Sequence, residues 1–417
     1  MSPTFGEAVR TWARIGCLSF GGPAGQIALM HREIVDDKRW LTEKQFLGAL
    51  NFCMLLPGPE AMQLATYAGW RLHGVKGGLA AGLLFVMPGA FVVLTLSMLY
   101  GAFGNVPWIA AVFYGVKAAV LAIVIEALLR VAKRALKSTA DWVIAALAFV
   151  ALFVFALPFP LIILAAAIYG YAKGGGVADE AKTLPPLQSL VSTTAIWLAI
   201  WLVPLALLAL MLGPDHVLTE LGVFFSKLAV VTFGGAYAVL AYMAQAAVEQ
   251  KHWLTAPEMI DGLALAETTP GPLILVTEFV GYLAALRQMG SVWGGLAGAV
   301  VTLWMTFAPC FLWIFAGAPY IEHIGRNPRL AAALAAITAA VVGVILNLSL
   351  WFGLHVLFGR VERMAGWFSP WVPDWAALDW VSLALSLAAA ILLLRFHFGI
   401  VKTLALAGAA GFVVSLV

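Results

Sequence analysis

Phe20-Gly21-Gly22-Pro23, Trp40-Leu41-Thr42 and Pro57-Gly58-Pro59 return later in the chain as Phe233-Gly234-Gly235, Trp253-Leu254-Thr255 and Pro270-Gly271-Pro272, each displaced by 213 residues. Three separated motifs in one register identify an internal duplication. Glu7 with Glu220, Met30 with Met243, Lys38 with Lys251 and the basic pair Arg14 with Lys227 keep the same spacing. Behind the Pro-Gly-Pro the register slips by one residue, and Tyr67-Ala68-Gly69-Trp70 overlies Phe279-Val280-Gly281-Tyr282. Glycine pairs and prolines remove helical contacts and a backbone donor, so each copy reads as a device built from interrupted helices.

Composition decides the surroundings. Of 417 residues, 63% are hydrophobic and 11% charged, too apolar a balance for a water-soluble surface. Apolar runs near twenty residues recur along the chain, the length a helix needs to span a bilayer while satisfying its own backbone. The short alternating segments of a membrane barrel are absent. A formal charge of +3 says little about partners, and the composition excludes a nucleic-acid binder. The stretch from Met1 to Glu7 has no basic region leading into a short apolar core, so no removable signal peptide is expected. Cys17, Cys53 and Cys310 are scattered in apolar stretches and read as buried free thiols rather than a metal or disulfide framework. The histidines show no paired spacing and no phosphate loop of the GxxxxGK[ST] type occurs. No cofactor, no metal and no enzyme activity are therefore expected.

In chain order, an apolar helix from Glu7 to about Ile34 is expected to break at Phe20 to Pro23. A polar loop at Asp36 to Arg39 follows, and Thr42 with Gln45 forms a capping-box pattern that starts the next helix. That helix breaks at Pro57-Gly58-Pro59 and resumes to about Leu72. Spans follow at Gly77 to Phe103, Pro107 to about Leu129, Trp142 to Ala156 and Phe159 to Ala172. Lys173 to Gln188, with its glycine run and Pro185-Pro186, reads as a linker, and Leu190 to Leu212 is a span without a counterpart in the first copy. The second copy repeats the broken helices and adds spans near Gly290 to Ala316, Leu330 to Leu357, Val381 to Arg395 and Ile400 to Val417.

The expectation is an all-α integral membrane protein with about 13 membrane elements, two six-element repeats joined by one extra span. Its divisions are a first repeat at 1–172, a linker with the connecting span at 173–216, and a second repeat at 217–417. An odd connecting span turns the second copy over, so the repeats are expected to be inverted in the membrane. With a cytoplasmic amino terminus and broken helices that cross, about 15 Lys or Arg fall on cytoplasmic ends and about 7 outside, the bias of the positive-inside rule. Re-entrant broken helices change the tally only near Arg39 and Lys251, and the sequence leaves both options open.

The turn Ser19-Phe20-Gly21-Gly22-Pro23, then Arg39-Trp40-Leu41-Thr42, Leu56-Pro57-Gly58-Pro59-Glu60 with Gln63-Leu64-Ala65-Thr66-Tyr67 behind it, and Thr269-Pro270-Gly271-Pro272-Leu273 carry a resemblance that covers essentially the whole chain. As a set they resemble the chromate ion transporter family in its long, two-domain form. The resemblance implies a bacterial inner-membrane, multi-pass exporter of chromate that confers resistance, with sulfate as the related oxyanion. It does not fix the substrate, because function rests on the site and not the fold. Ala236 stands where the first copy has Pro23, so the halves need not contribute equally.

Half-helix amino termini present free N–H groups and positive dipole ends, and inverted repeats with discontinuous helices use them to hold anions. The candidates for substrate contact are Phe20, Gly21, Gly22, Pro57, Gly58 and Pro59 with their copies Phe233, Gly234, Gly235, Pro270, Gly271 and Pro272. The competing reading is that these are packing kinks. Arg14 and Lys227 lie six residues before the phenylalanine of each break, and serve either as counter-charge for a dianion or as anchors snorkelling to an interface. Glu60 follows the first Pro-Gly-Pro directly and Glu267 precedes the second by three residues. Glu60 is a helix cap, or else Glu60 or Glu267 is a proton carrier that couples transport to the proton gradient. Asn51, Gln63, Thr268 and Thr269, with Thr277, flank the breaks and suit oxyanion oxygens as well as ordinary helix-to-helix bonds. The reading is a secondary transporter exporting chromate, driven by membrane potential or proton gradient, with the lipid bilayer as partner and room for a homodimer. A sulfate or other anion transporter, and an anion channel, are the alternatives; a membrane-embedded enzyme lacks a clustered nucleophile or acid–base pair.

Overall fold

The computed structural model describes residues 3–20, 22–104, 106–175, 187–231, 233, 236–320 and 328–416. Helices dominate them. In the first copy, α1 (Phe5–Leu18), α2 (Gly22–His31), α3 (Glu43–Cys53) and α4 (Glu60–Phe103) are followed by α5 (Pro107–Ala135), α6 (Thr139–Phe153) and α7 (Phe159–Lys173). Then come α8 (Leu187–Leu212), α9 (Val217–Val231), α10 (Ala236–Gln245), α11 (Ala256–Thr268), α12 (Val276–Met289), α13 (Val292–Gly317), α14 (Pro328–Leu357), α15 (Trp380–Ala390) and α16 (Ile400–Val414). Five helices among the described residues, α4, α5, α8, α13 and α14, are long and apolar enough to cross a membrane. The observed limits follow the sequence expectations closely at the Pro and Gly signals. Among the described residues, the exception to helical structure is a short antiparallel hairpin, β1 (Val361–Arg363) and β2 (Trp371–Pro373).

Local chemistry starts and stops these helices. Thr4 caps α1 by accepting the Glu7 N–H, and Thr42 with Gln45 closes the expected capping box on α3. Ser138 and Asp141 form a second box on α6, and Pro107 occupies the first turn of α5 where its missing N–H costs nothing. α4 is interrupted at His73 and Gly74, whose φ of 62° leaves the helical region. It is therefore a tight helical hairpin. Gly290, with φ 63°, ends α12 and makes the corresponding turn into α13.

The chain packs as two compact units, and each draws on both copies. Unit one comprises 1–98, 176–236 and 269–331; unit two comprises 99–175, 237–268 and 332–417. In unit one, α12 lies along α13, which also packs on α9 and α8. Both hairpins close on glycine. A Cβ on Gly69 would meet the Gly77 carbonyl, and one on Gly298 the Gly281 carbonyl. Trp12, Phe52, Phe85, Phe225 and Phe279 fill the interior around them. Small residues let membrane helices approach until van der Waals packing is gained along the backbone.

In unit two, α5 lies along α16 and also packs on α15 and α11. A Cβ on Gly115 would fall on the Ala407 carbonyl, and one on Gly411 within 2.6 Å of the Ala111 carbonyl. The hairpin is tied down by Arg363, which reaches Glu249 at 2.7 Å and the Ser369 carbonyl at 3.1 Å. Asp379 caps α15, accepting from the amides of Val381 and Ser382 and from the hydroxyls of Ser382 and Tyr114. Burial pushes this carboxyl's pKa up, but the hydrogen bonds from Tyr114, Ser382 and Val381 outweigh it and hold it below the ordinary value of 3.8.

Two stability tests follow. Gly115→Val forces the α5–α16 backbones apart and should cost roughly 1–3 kcal/mol, as overpacking does. It is read as a lower melting temperature in detergent, whereas Gly6→Ala, with nothing within 4 Å, leaves the melting temperature unchanged or higher. A folded-state pKa depressed below the unfolded value contributes stability above the unfolded pKa and loses it as pH falls through the folded one. Asp379→Asn should thus lower stability at neutral pH and flatten the acid limb below about pH 4, measured as melting temperature against pH.

Candidate functional site

All four expected interruptions occur, and among the described residues the two members of each pair share local features. α1 stops at Leu18 and α2 starts at Gly22; α9 stops at Val231 and α10 starts at Ala236. At each break the phenylalanine amide turns back to the residue two before it, Phe20 to Leu18 at 2.9 Å and Phe233 to Val231 at 3.0 Å. Both second half-helices end in a wide turn of π type, Arg32–Asp37 and Ala246–Gln250. Behind these turns Arg39 and His252 take left-handed conformations, φ 53° and 50°. The lysine before each tryptophan lies over its ring, Lys38 on Trp40 at 5.1 Å and Lys251 on Trp253 at 5.9 Å. Thr255 and Glu258 repeat the exchange of Thr42 and Gln45.

The Pro-Gly-Pro turns share a geometry that only glycine adopts easily, with φ 119° at Gly58 and 89° at Gly271. Both turns are wholly buried. Their polar atoms must find partners in the interior, and unit one shows how. The Gly271 N–H donates to the Ser19 carbonyl at 2.9 Å, joining the second Pro-Gly-Pro to the first helix break. Gln26, on α2 and 1% exposed, donates through Nε2 to the Gly271 carbonyl at 2.7 Å and lies 3.4 Å from the Ser19 carbonyl. A Cβ on Gly89 would land on the Pro270 carbonyl, so α4 closes over the same turn. At the first Pro-Gly-Pro, Gln63 Nε2 donates to the Pro57 carbonyl at 2.7 Å, while its Oε1 has no partner.

The remaining candidates are dispersed. Gly21, Gly234 and Gly235 lie outside the described residues. Phe20 is exposed and Asn51 lies exposed on α3. Arg14 is exposed and pairs at 3.4 Å with Glu33, which is buried; Lys227 is exposed on α9. Thr268 turns its hydroxyl to the Leu265 carbonyl at 2.8 Å, and Thr269 is buried. Glu60 opens α4 and Glu267 is buried near the end of α11. Thr277 lies 3.5 Å from Thr306 across α12 and α13.

Sequence reasoning missed Gln26 as the clamp on Gly271. A glutamine in an otherwise apolar half-helix beside a break is the signal that was there to find. It also passed over a charged cluster inside unit two. Tyr100 donates to Asp261 Oδ2 at 2.6 Å, and Lys117 Nζ stands 3.2 Å from Asp261 Oδ1 without hydrogen-bond alignment. The signal was Lys117 within the apolar first half of α5 and Asp261 in the middle of α11.

The family model described as chromate transporter matches residues 6–171 and 219–412. The chain is 31% identical over 351 residues to the chromate transport protein of Cupriavidus metallidurans, covering 82% of this chain and 81% of that one. It is 35% identical over 346 residues to the chromate transport protein of Pseudomonas aeruginosa, covering 80% and 77%. It is 27% identical over 369 residues to a probable chromate transport protein of Synechococcus elongatus, covering 87% and 89%. No solved structure matches the chain. With helix breaks and glycine turns repeated across both matched segments, and with relatives aligned over most of their length, the chain belongs to the chromate transporter family.

Proposed function

We propose that this chain is a secondary transporter that moves chromate, or a similar tetrahedral dianion, out of the cytoplasm. The observation that carries the reading is the junction of Ser19, Gln26 and Gly271, where two interruptions from different copies are held together by backbone and amide bonds. Breaking a helix inside a bilayer is costly unless the freed groups are used. The amides that open α2, α4 and α10, and those that open the turn Leu273–Leu275 leading into α12, carry the positive ends of their helices. Backbone donors of this kind suit a dianion, because they add no fixed charge that would hold it permanently. The names of the relatives, chromate transport proteins, agree with that chemistry.

In this reading the two copies, 1–172 and 217–417, are six-element repeats inverted about the connecting span, giving about 13 membrane elements. Support comes from the equal local geometry of the breaks and from a family match that falls in two segments. The amino terminus is cytoplasmic, the membrane is the bacterial inner membrane, and a homodimer is compatible with the arrangement. Phe20, Gly21, Gly22, Pro57, Gly58 and Pro59 with Phe233, Gly234, Gly235, Pro270, Gly271 and Pro272 form the anion cradle. Asn51, Gln63, Thr268 and Thr269 supply further donors, Arg14 and Lys227 positive potential on approach, and Glu60 and Glu267 carboxylates for proton coupling. Outward movement of a dianion is favoured by an inside-negative potential at about 2.3 kcal/mol per charge per 100 mV.

The test is flux of labelled chromate into everted membrane vesicles with imposed voltage. Saturable uptake that rises with voltage and is competed by sulfate or molybdate is expected; flux that never saturates makes the protein a channel, and sulfate movement without chromate movement makes it a sulfate carrier. Within that assay Gln26→Leu leaves the Gly271 carbonyl buried without its amide donor, a loss of about 1–3 kcal/mol. It should cut the transport rate about tenfold or more at equal protein abundance.

A further inference from the structure

The aligned register places Glu278 of the second copy over Thr66 of the first. Thr66 is buried and satisfied, its hydroxyl donating to the Met62 carbonyl at 2.9 Å. Glu278 is 1% exposed, and its Oε2 has no hydrogen-bond partner. Unlike the other buried carboxylates among the described residues, it has neither an ion pair nor a hydrogen bond. Glu33 pairs with Arg14, Asp261 is held by Tyr100 and Lys117, and Glu267 is engaged as well.

Among the described residues, the elements that pack most closely on α12 bring no ion partner to Glu278. α13, packed along α12, contains no Asp, Glu, Lys, Arg or His anywhere in 292–317, and its one thiol is Cys310. α9 brings Glu220 and the exposed Lys227, and no ion pair joins Lys227 to Glu278 among the described residues. The turn Leu273–Leu275 carries no titratable side chain. α12 itself adds Tyr282, buried, and Arg287, exposed near its far end.

An ionised carboxylate without a partner is expensive in such an enclosure, and the neutral acid is the form it tolerates. Glu278 nevertheless sits in the first turn of α12, six residues behind Pro272. There the helix dipole favours negative charge. A carboxylate and a dianion therefore compete for one positive helix end, and a proton on the carboxyl removes the competitor.

We infer that Glu278 is a proton-binding site linked to the anion: the dianion binds when Glu278 is protonated and is released when it ionises, so one proton travels with each anion. This rests on the proposed transport function and adds to it a titrating group other than Glu60 and Glu267. With the proton aboard, the net charge moved per dianion falls from two to one, and export still runs down an inside-negative potential.

The experiment measures the KM for chromate in everted vesicles carrying the full chain, between about pH 6 and 9, for the unmodified protein and for Glu278→Gln and Glu278→Asp. The anion's own protonation changes equally for all three proteins, so the ratio of their KM values isolates the side chain. The unmodified protein should lose apparent affinity by up to about tenfold per pH unit above the titration of Glu278, the slope of one linked proton. Glu278→Gln, shaped like the neutral acid, should keep high affinity throughout, and Glu278→Asp should keep the dependence with a displaced midpoint. If Glu278→Gln follows the pH dependence of the unmodified protein, or if Glu267→Gln alone abolishes it, the assignment is overturned while transport stands. If the unmodified protein shows no saturable chromate flux, the transport reading itself fails.

Discussion

A hydrocarbon interior offers no hydrogen-bond partner to an interrupted helix, so every break must be closed by the protein itself or by what the protein binds. The bond from the Gly271 amide to the Ser19 carbonyl, with Gln26 on the Gly271 carbonyl, is where this constraint is met in unit one. Much else follows from it. Gly271 must adopt a left-handed φ, Gly89 must lack a side chain so that α4 can close over Pro270, and α2 must start within reach of the turn. Residues 245 positions apart in the chain are thereby fixed together.

Much of the fold was legible because its punctuation is chemical. Proline and glycine remove donors and side-chain contacts, so the helix breaks, the starts of α5 at Pro107 and α7 at Phe159 and the end of α8 at Leu212 could be placed from residue type alone, whereas α5 runs on to Ala135, past its expected end near Leu129, and α8 starts at Leu187 and not Leu190. Thr42 with Gln45 announced its capping box for the same reason. What stayed hidden depends on partners distant in sequence. Nothing local marks Arg39 and His252 as left-handed residues, since the π turns that impose this conformation come from the preceding helix and not from the side chains. The short hairpin around Arg363 was silent because its anchor, Glu249, lies on another segment.

The candidate site divides along the same line. The duplicated turns were visible as a repeat; the two Pro-Gly-Pro turns are buried and share a positive φ at glycine, whereas Phe20 of the first glycine-pair turn is exposed. Arg14 and Lys227 matched in register, yet register does not fix orientation, and both side chains lie exposed on their helices. The packing into two units, each mixing elements of both copies, was beyond reach of a repeat alignment, because the alignment records ancestry of segments and not which neighbours they choose.

The repeat is also imperfect where its chemistry is concentrated. Gln26 aligns with Val239, and Thr66 with Glu278. The clamp belongs to one half and the enclosed acid to the other, so neither half carries the full complement. An ancestral pair of identical chains could have worked by symmetry alone; this chain has traded interchangeability for a division of labour, and two copies of either half joined end to end would not rebuild it.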